Sequence, residues 1–252
     1  MVLGAGRGTR LAPLGLGVPK ILVDVAGEPL LARQLRYLAG EGAGLVVVNA
    51  HHLAEQVATF AAEHSGSPEL VVVTEPRLLG TAGGVRNALR CFGADPIVVL
   101  YGDVLTDASL AALLDTHARR GAPATITVYE STETEGKGTV IVDDDGWLVR
   151  FAEKEPPLST APGAPGGAAA AGAGPALINA GLYVVDPDFV SELVAEHTVS
   201  DFGHDVFPDA LARGIRVAVH RLPEPVLDVG TPRTLRKAQP RDGRSRSDTE
   251  TS

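Results

Sequence analysis

The sequence predicts an α/β fold, a three-layer sandwich around a mostly parallel, mixed sheet, and three observations carry that prediction. Short β-branched runs, "LVVVNA" (45–50), "ELVVVT" (69–74) and "PIVVLYGD" (96–103), read as buried strands. Segments 29–42, 51–65, 82–90 and 109–120 lie between or beside them with helical spacing, as right-handed crossovers between parallel strands require. The chain has 252 residues, 44% of them hydrophobic, enough for one large core. Together these imply a Rossmann-like sheet with ligands gathered at the carboxyl ends of its strands.

Taken in order, the first element is a strand of only Met1 to Leu3, short for a central strand, which runs into "GAGRGTRLAPLGLGVPK" (4–20). The strand and helix alternation then proceeds as far as 120, where Leu110, Leu113 and Leu114 mark one apolar helical face. Beyond 120 the pattern becomes strand-rich, with "ATITVYES" (124–131), "GTVIVDDDGWLVRFAEK" (138–154) and "LINAGLYVV" (177–185). A hairpin is expected around Asp145-Gly146. This half is expected to extend or cover the sheet. A helical piece, "HDVFPDALARG" (204–214), precedes the strand "IRVAVHRL" (215–222), then "LDVGTP" (227–232) and a short closing helix.

Two segments have nothing to pack. Residues 156–176, "PPLSTAPGAPGGAAAAGAGPA", predict a mobile loop inside the domain, and the polar tail 240–252 predicts disorder. One domain over 1–239 is expected.

The formal net charge of −9 argues against a nucleic-acid polymer or an anionic membrane as partner, because either would demand a basic face. No run approaches the roughly 20 apolar residues that span a bilayer. Cys91 is the sole cysteine, which excludes an internal disulfide and a cysteine-rich zinc site. With no leader-like segment, a reducing, cytoplasmic setting is expected.

Residues 2–20 hold five glycines, two arginines and a lysine around two prolines. Glycine lets a backbone approach a ligand with its N–H groups turned inward, and Arg10 and Lys20 add positive charge, so a phosphate is the expected guest. A dinucleotide fingerprint fits poorly. Thr9 takes its third glycine position, and the second strand ends in Asn49-Ala50-His51 instead of an acidic ribose ligand. The histidines, including His51 and His52, have no partner at metal-ligand spacing.

"LGAGRGTRLAPLGLGVPK" resembles the signature of the sugar-1-phosphate nucleotidylyltransferases, L-A-G-G-x-G-x-R-L-x-P-L followed by P-K. Further matches follow in the family's order: "EPRLLGTAGGVRNAL", "YGD", "KGTVIVD", "FAEKE", "LINAGLYVV" and "LDVGTP". The motifs are closest to those of mannose- and heptose-1-phosphate guanylyltransferases. Two departures stand out: Gly4-Ala5 reverses the family's Ala-Gly order, placing a methyl group where a nucleotide contact is expected, and Arg77-Leu78 lengthens the turn before "LGTAG".

The resemblance implies an enzyme that joins an NTP and a sugar 1-phosphate into an NDP-sugar and pyrophosphate. It places Leu3, Gly4, Ala5, Gly6, Gly8, Thr9, Arg10, Glu75, Gly80, Thr81 and Gly83 at the nucleotide. Arg10, Lys20 and Asp103 form the catalytic set, with Arg10 on the leaving β,γ-phosphates and Lys20 near the α-phosphate. Asp103 and Asp228 are the implied ligands of Mg²⁺, as hard oxygen donors. Gly138, Glu153, Lys154 and Asn179 form the implied sugar-phosphate side. Arg7 stands at the family's variable position.

Glu75 is the candidate base reader. A carboxylate only accepts hydrogen bonds and so suits the adjacent N–H donors of guanine, which favours GTP. A dTTP- or UTP-dependent glucose-1-phosphate nucleotidylyltransferase is the alternative enzyme. An NDP-sugar-consuming glycosyltransferase is disfavoured, because "YGDV" lacks the first acid of D-x-D. A regulatory NDP-sugar-binding subunit would not need Arg10, Lys20, Asp103 and Asp228 together. The sugar is left open, and a homo-oligomer is compatible with the sequence.

Overall fold

A computed structural model describes residues 1–6, 8–11, 14–152 and 175–239. The first strand, β1 (Val2–Leu3), is followed by β2 (Asp24–Val25), β3 (Glu28–Pro29) and α1 (Leu30–Gly40). Next come β4 (Leu45–Ala50), α2 (Ala54–Glu63), β5 (Glu69–Thr74), α3 (Gly80–Ala88), β6 (Ile97–Tyr101), β7 (Val104–Leu105) and α4 (Leu110–Arg120). The second half contains β8 (Ala124–Ser131), β9 (Thr139–Val142), β10 (Leu148–Ala152), β11 (Ala176–Val185), α5 (Pro187–Leu193), α6 (Phe207–Ala212), β12 (Ala218–Arg221), β13 (Leu227–Asp228) and α7 (Pro232–Ala238).

Among the described residues a nine-stranded sheet runs β10-β9-β11-β6-β1-β4-β5, with β8 added against β11 and β12 against β8. The ladders of β1 with β4 and β6, of β4 with β5 and of β12 with β8 are parallel. Only β11 and β10 run against the other strands of the sheet, so it is mixed and mostly parallel. The strand-rich half extends the sheet, as expected. Strand β11 bends at Gly181, whose φ of +69° accompanies a register shift against β8. Its first part pairs with β9 and its second with β6.

Alternation along the strands builds the two outer layers. Val2, Val46, Val48 and Leu100 pack under Leu31, Leu35, Leu38, Val57, Leu110 and Leu113 of α1, α2 and α4. Val47, Val73 and Val99 face the opposite layer, where Val85, Phe189, Val190 and Phe207 of α3, α5 and α6 close over them.

Several boundaries differ from expectation. Helix α3 starts earlier, at Gly80, whose φ of +78° gives the turn into it. The "HDVFPDALARG" segment begins as a π turn over Phe202–Val206 before α6. The strand expected at 215–222 is ordered as such only over Ala218–Arg221. Ala176, at the end of the Pro/Gly/Ala segment, already belongs to β11. Arg7, Glu153, Lys154, residues 156–174 and the tail lie outside the described residues.

Candidate active site

Strands β5, β4, β1 and β6 stand side by side and parallel, so their carboxyl ends share one edge, and the chain reverses its direction of growth at β1. Such a switch point is where open α/β sheets bind ligands. A cavity of about 290 Å³ opens there, lined by Leu3, Gly4, Ala5 and Gly6 after β1, Asn49 at the end of β4, Glu75 after β5 and Tyr101 to Asp103 at the end of β6. Lys20, Ile21, Leu78, Gly80, Thr81 and Asp201 complete it. Gly8, Thr9 and Gly83 do not line it.

The charged residues converge beside this cavity. Lys20 lies on a 3-10 turn after Pro19 with its side chain only 12% exposed, and its Nζ is hydrogen-bonded to Asp103 Oδ2. Arg10 Nη2 stands 3.8 Å from the same oxygen. Asp228 arrives from β13, paired with Val104 immediately after Asp103, and the Gly230 N–H donates to its Oδ1 at 2.5 Å. A Cβ at Gly230 would lie 2.5 Å from Asp228 Oδ1, 2.7 Å from Arg10 Nη2 and 2.8 Å from Lys20 Nζ, so glycine is what lets the three groups meet.

Burial pushes the Asp228 carboxyl above its ordinary range and the neighbouring Asp103 pushes it further, while Lys20, the Gly230 N–H and Arg10 pull it back. Two carboxylates that repel each other and are held by two cations form a site suited to polyanions and a hard divalent cation.

Around Glu75 the cavity wall is an internal polar network. The Gly4 N–H donates to Asn49 Oδ1 at 2.8 Å, and Asn49 Nδ2 donates to Glu75 Oε1 at 2.7 Å. The Leu79 N–H donates to Glu75 Oε2 at 3.1 Å. Glu75 is 1% exposed, so the expected base reader stands in the cavity wall with both oxygens engaged by the protein.

Gly4 is tightly packed where it stands. A Cβ at Gly4 would come within 2.7 Å of Ile21 Cδ1 and 2.8 Å of the Asn49 carbonyl, whereas Ala5 buries its methyl group. Likewise Gly84 makes room for the Asn49–Glu75 pair, since a Cβ there would sit 2.5 Å from Asn49 Nδ2. Gly83 faces the Thr198 carbonyl, and its N–H donates to the Ser200 carbonyl, so its role is to seat α3 on the 198–201 segment. Asp201 completes that seat by accepting from Thr81 Oγ1 at 2.7 Å.

Of the residues expected at the sugar phosphate, Gly138 and Asn179 do not line this cavity but are brought together: the Asn179 N–H donates to the Gly138 carbonyl at 2.9 Å. Asn179 Oδ1 accepts from the Gly181 N–H at 3.0 Å and from the Tyr183 hydroxyl at 3.1 Å. That fixes the amide orientation and, among the described residues, leaves its NH₂ group for an outside acceptor.

Asn49, Tyr101 and Asp201 were not singled out as site residues. Asn49 and Asp201 act through other residues at the cavity wall, and no periodicity or motif marks a polar residue buried for that purpose.

The family model described as "Nucleotidyl transferase" matches residues 1–245. A mannose-1-phosphate guanylyltransferase of Mycobacterium tuberculosis is 33% identical over 220 residues, covering 85% of this chain and 55% of that protein. A UTP–glucose-1-phosphate uridylyltransferase of Synechocystis is 29% identical, covering 85% and 55%. The catalytic subunit beta of a mannose-1-phosphate guanylyltransferase of Drosophila pseudoobscura is 31% identical, covering 92% and 59%. The chain thus spans just over half the length of these relatives. Among solved structures, HddC from Yersinia pseudotuberculosis superposes with a TM-score of 0.76 at 21% identity, over 94% of this chain and 96% of that one, which is a likeness of fold.

Proposed function

The chain belongs to the nucleotidyl transferase family, and from that premise we propose that it transfers a nucleotidyl group from an NTP, preferentially GTP, to a sugar 1-phosphate, releasing pyrophosphate. The observation that carries this reading is the meeting of Arg10, Lys20, Asp103 and Asp228 around Gly230 beside the switch-point cavity. The preference for GTP rests on the guanylyltransferases among the relatives, and mannose 1-phosphate is accordingly the first acceptor to try.

In this reading the nucleoside lies against Leu3 to Gly6, Leu78, Gly80 and Thr81. The sugar phosphate approaches from Gly138 and Asn179, with Glu153 and Lys154 of "FAEKE" on the same side. A phosphate oxygen of the sugar 1-phosphate attacks the α-phosphorus in line. The new O–P bond forms as the bond to the β-phosphate oxygen breaks, and pyrophosphate carries off the electron pair. No enzyme nucleophile is needed, so the protein's task is positioning and charge neutralisation. Arg10 neutralises the departing β,γ-phosphates, and Lys20 serves the reacting centre.

Asp103 and Asp228 fit a divalent ion such as Mg²⁺, which when bound supplies charge neutralisation between the two substrates. Among the described residues no group of three or more His, Cys, Asp or Glu side chains could hold a metal alone. The remaining ligands in this proposal are therefore phosphate oxygens and water.

Pyrophosphate release across a panel of NTPs and sugar 1-phosphates tests the proposal. Release should require both substrates and cease in EDTA. Arg10→Ala and Asp103→Asn should each lower kcat/KM by about a hundredfold or more with the fold intact. Activity with no pair, or wild-type rates in both variants, would refute it.

A further inference from the structure

We infer that Gln34 is a positioning residue for Asp103, acting through the turn that carries that carboxylate. The inference rests on the reading of Asp103 as part of the reacting centre. Gln34 sits on the apolar face of α1 between Leu31, Leu35 and Leu38, and is 1% exposed. Nothing in the amphipathic pattern of that helix requires an amide there. Its Nε2 donates twice, to the Tyr101 carbonyl at 3.0 Å and to the Val104 carbonyl at 2.8 Å. These two carbonyls flank Gly102 and Asp103, so one amide group ties both ends of the turn to α1.

The same amide carries a cost. Gln34 Oε1 is buried with no hydrogen-bond partner, and an orphaned acceptor is destabilising. A flipped amide would be worse, because Oε1 would then face two carbonyls. An apolar side chain would remove the orphan but give up both of these hydrogen bonds. The arrangement is therefore accounted for by what Nε2 does for the turn and not by any contribution to the core.

Backbone hydrogen bonds tie the turn to its other neighbours. The Gly102 N–H donates to the Leu3 carbonyl at 3.0 Å, and the Asp103 carbonyl accepts from the Val229 N–H at 2.8 Å. A Cβ at Gly102 would press within 2.7 Å of Ile21 Cγ2, so the turn lies tightly on the glycine-loop side of the sheet. Gln34 adds a side-chain attachment from α1, whose Leu31, Leu35 and Leu38 pack in the same layer as Ile21. With it, the direction of Asp103 toward Lys20 and Arg10 is set from β1, β13 and α1 together. Without it, the turn is free to shift by the fraction of an ångström that a reacting centre does not tolerate.

The test compares wild type, Gln34→Met, which keeps the length and removes the donors, and Asp103→Asn. Gln34→Met should lower kcat by about tenfold while the KM for GTP changes less than about twofold. The Mg²⁺ concentration for half-maximal rate should rise, whereas GTP affinity measured calorimetrically in EDTA and the melting temperature stay near wild type. If Gln34→Met does not fold, Gln34→Asn, which keeps both donors one methylene shorter, should show the same split. A lowered melting temperature with unchanged kcat and Mg²⁺ demand would make Gln34 merely structural and overturn the inference. Wild-type rates in Asp103→Asn would instead overturn the reading on which it rests.

Discussion

The two sides of the cleft are built differently. On the proposed nucleotide side the cavity is lined by segments at the ends of parallel strands, and polar side chains brace them: buried Asn49 holds Gly4, buried Glu75 holds Asn49 and Leu79, and half-buried Asp201 holds Thr81 at the start of α3. On the proposed sugar side the candidate group lies within a strand, where Asn179 is oriented by the Gly181 bend and by Tyr183. Loops need bracing because their backbone polar groups have no ladder to satisfy them. A strand residue inherits its position from the sheet. In the proposed function a change on the nucleotide side therefore propagates through the braces, whereas a change at Asn179 stays local, and the charged cluster would serve both substrates.

Three substitutions break or sharpen that comparison. The largest effect is expected from Asp228→Asn, which belongs to both sides: kcat/KM should fall by about a hundredfold or more for either substrate varied. Because the variant keeps an acceptor for the Gly230 N–H but removes a buried charge repelled by Asp103, its melting temperature in EDTA should rise. A lowered melting temperature would mean that Lys20 and Arg10 outweigh burial. Next comes Asn179→Asp, which keeps the acceptor used by Gly181 and Tyr183, loses the NH₂ donors and adds a negative charge. Steady-state kinetics should show the KM for the sugar 1-phosphate rising about tenfold with that for the NTP nearly unchanged, and equal effects on both would erase the distinction between the sides.

The smallest effect is expected from Glu75→Gln. Its new NH₂ group must face a donor, either Asn49 Nδ2 or the Leu79 N–H, so kcat/KM should fall a few-fold for GTP and UTP alike. A change in the ratio of the two would instead show that the carboxylate itself meets the base.

The fold and the charged cluster were legible for a physical reason. Short β-branched apolar runs, helical leucine spacing and turn glycines are local signals, and they sufficed for β4, β5, β6, α1, α4 and the 143–146 hairpin. Arg10, Lys20, Asp103 and Asp228 were legible because each sits in a motif that resembles a known family's. The glycines were read less well. "GTAGG" suggests phosphate contact, yet Gly83 and Gly84 are there to admit the Thr198 carbonyl and the Asn49–Glu75 pair. Which neighbour a missing side chain makes room for is not encoded in its own segment.

By itself, then, the amino-acid order determined the layers and the strand edge that carries the cavity, because these follow from residues near one another in the chain, and it named the charges there through motifs that resemble a family's. Only the tertiary structure decided how those charges are aimed: that Glu75 turns its carboxylate onto Asn49 and Leu79, that Gly230 is the point where three charged groups meet, and that Gln34, 67 residues before Tyr101, holds the turn of Asp103. Such contacts join segments remote in sequence. They rest on the hydrogen-bonding needs of individual buried atoms, which no pattern of hydrophobicity along the chain records.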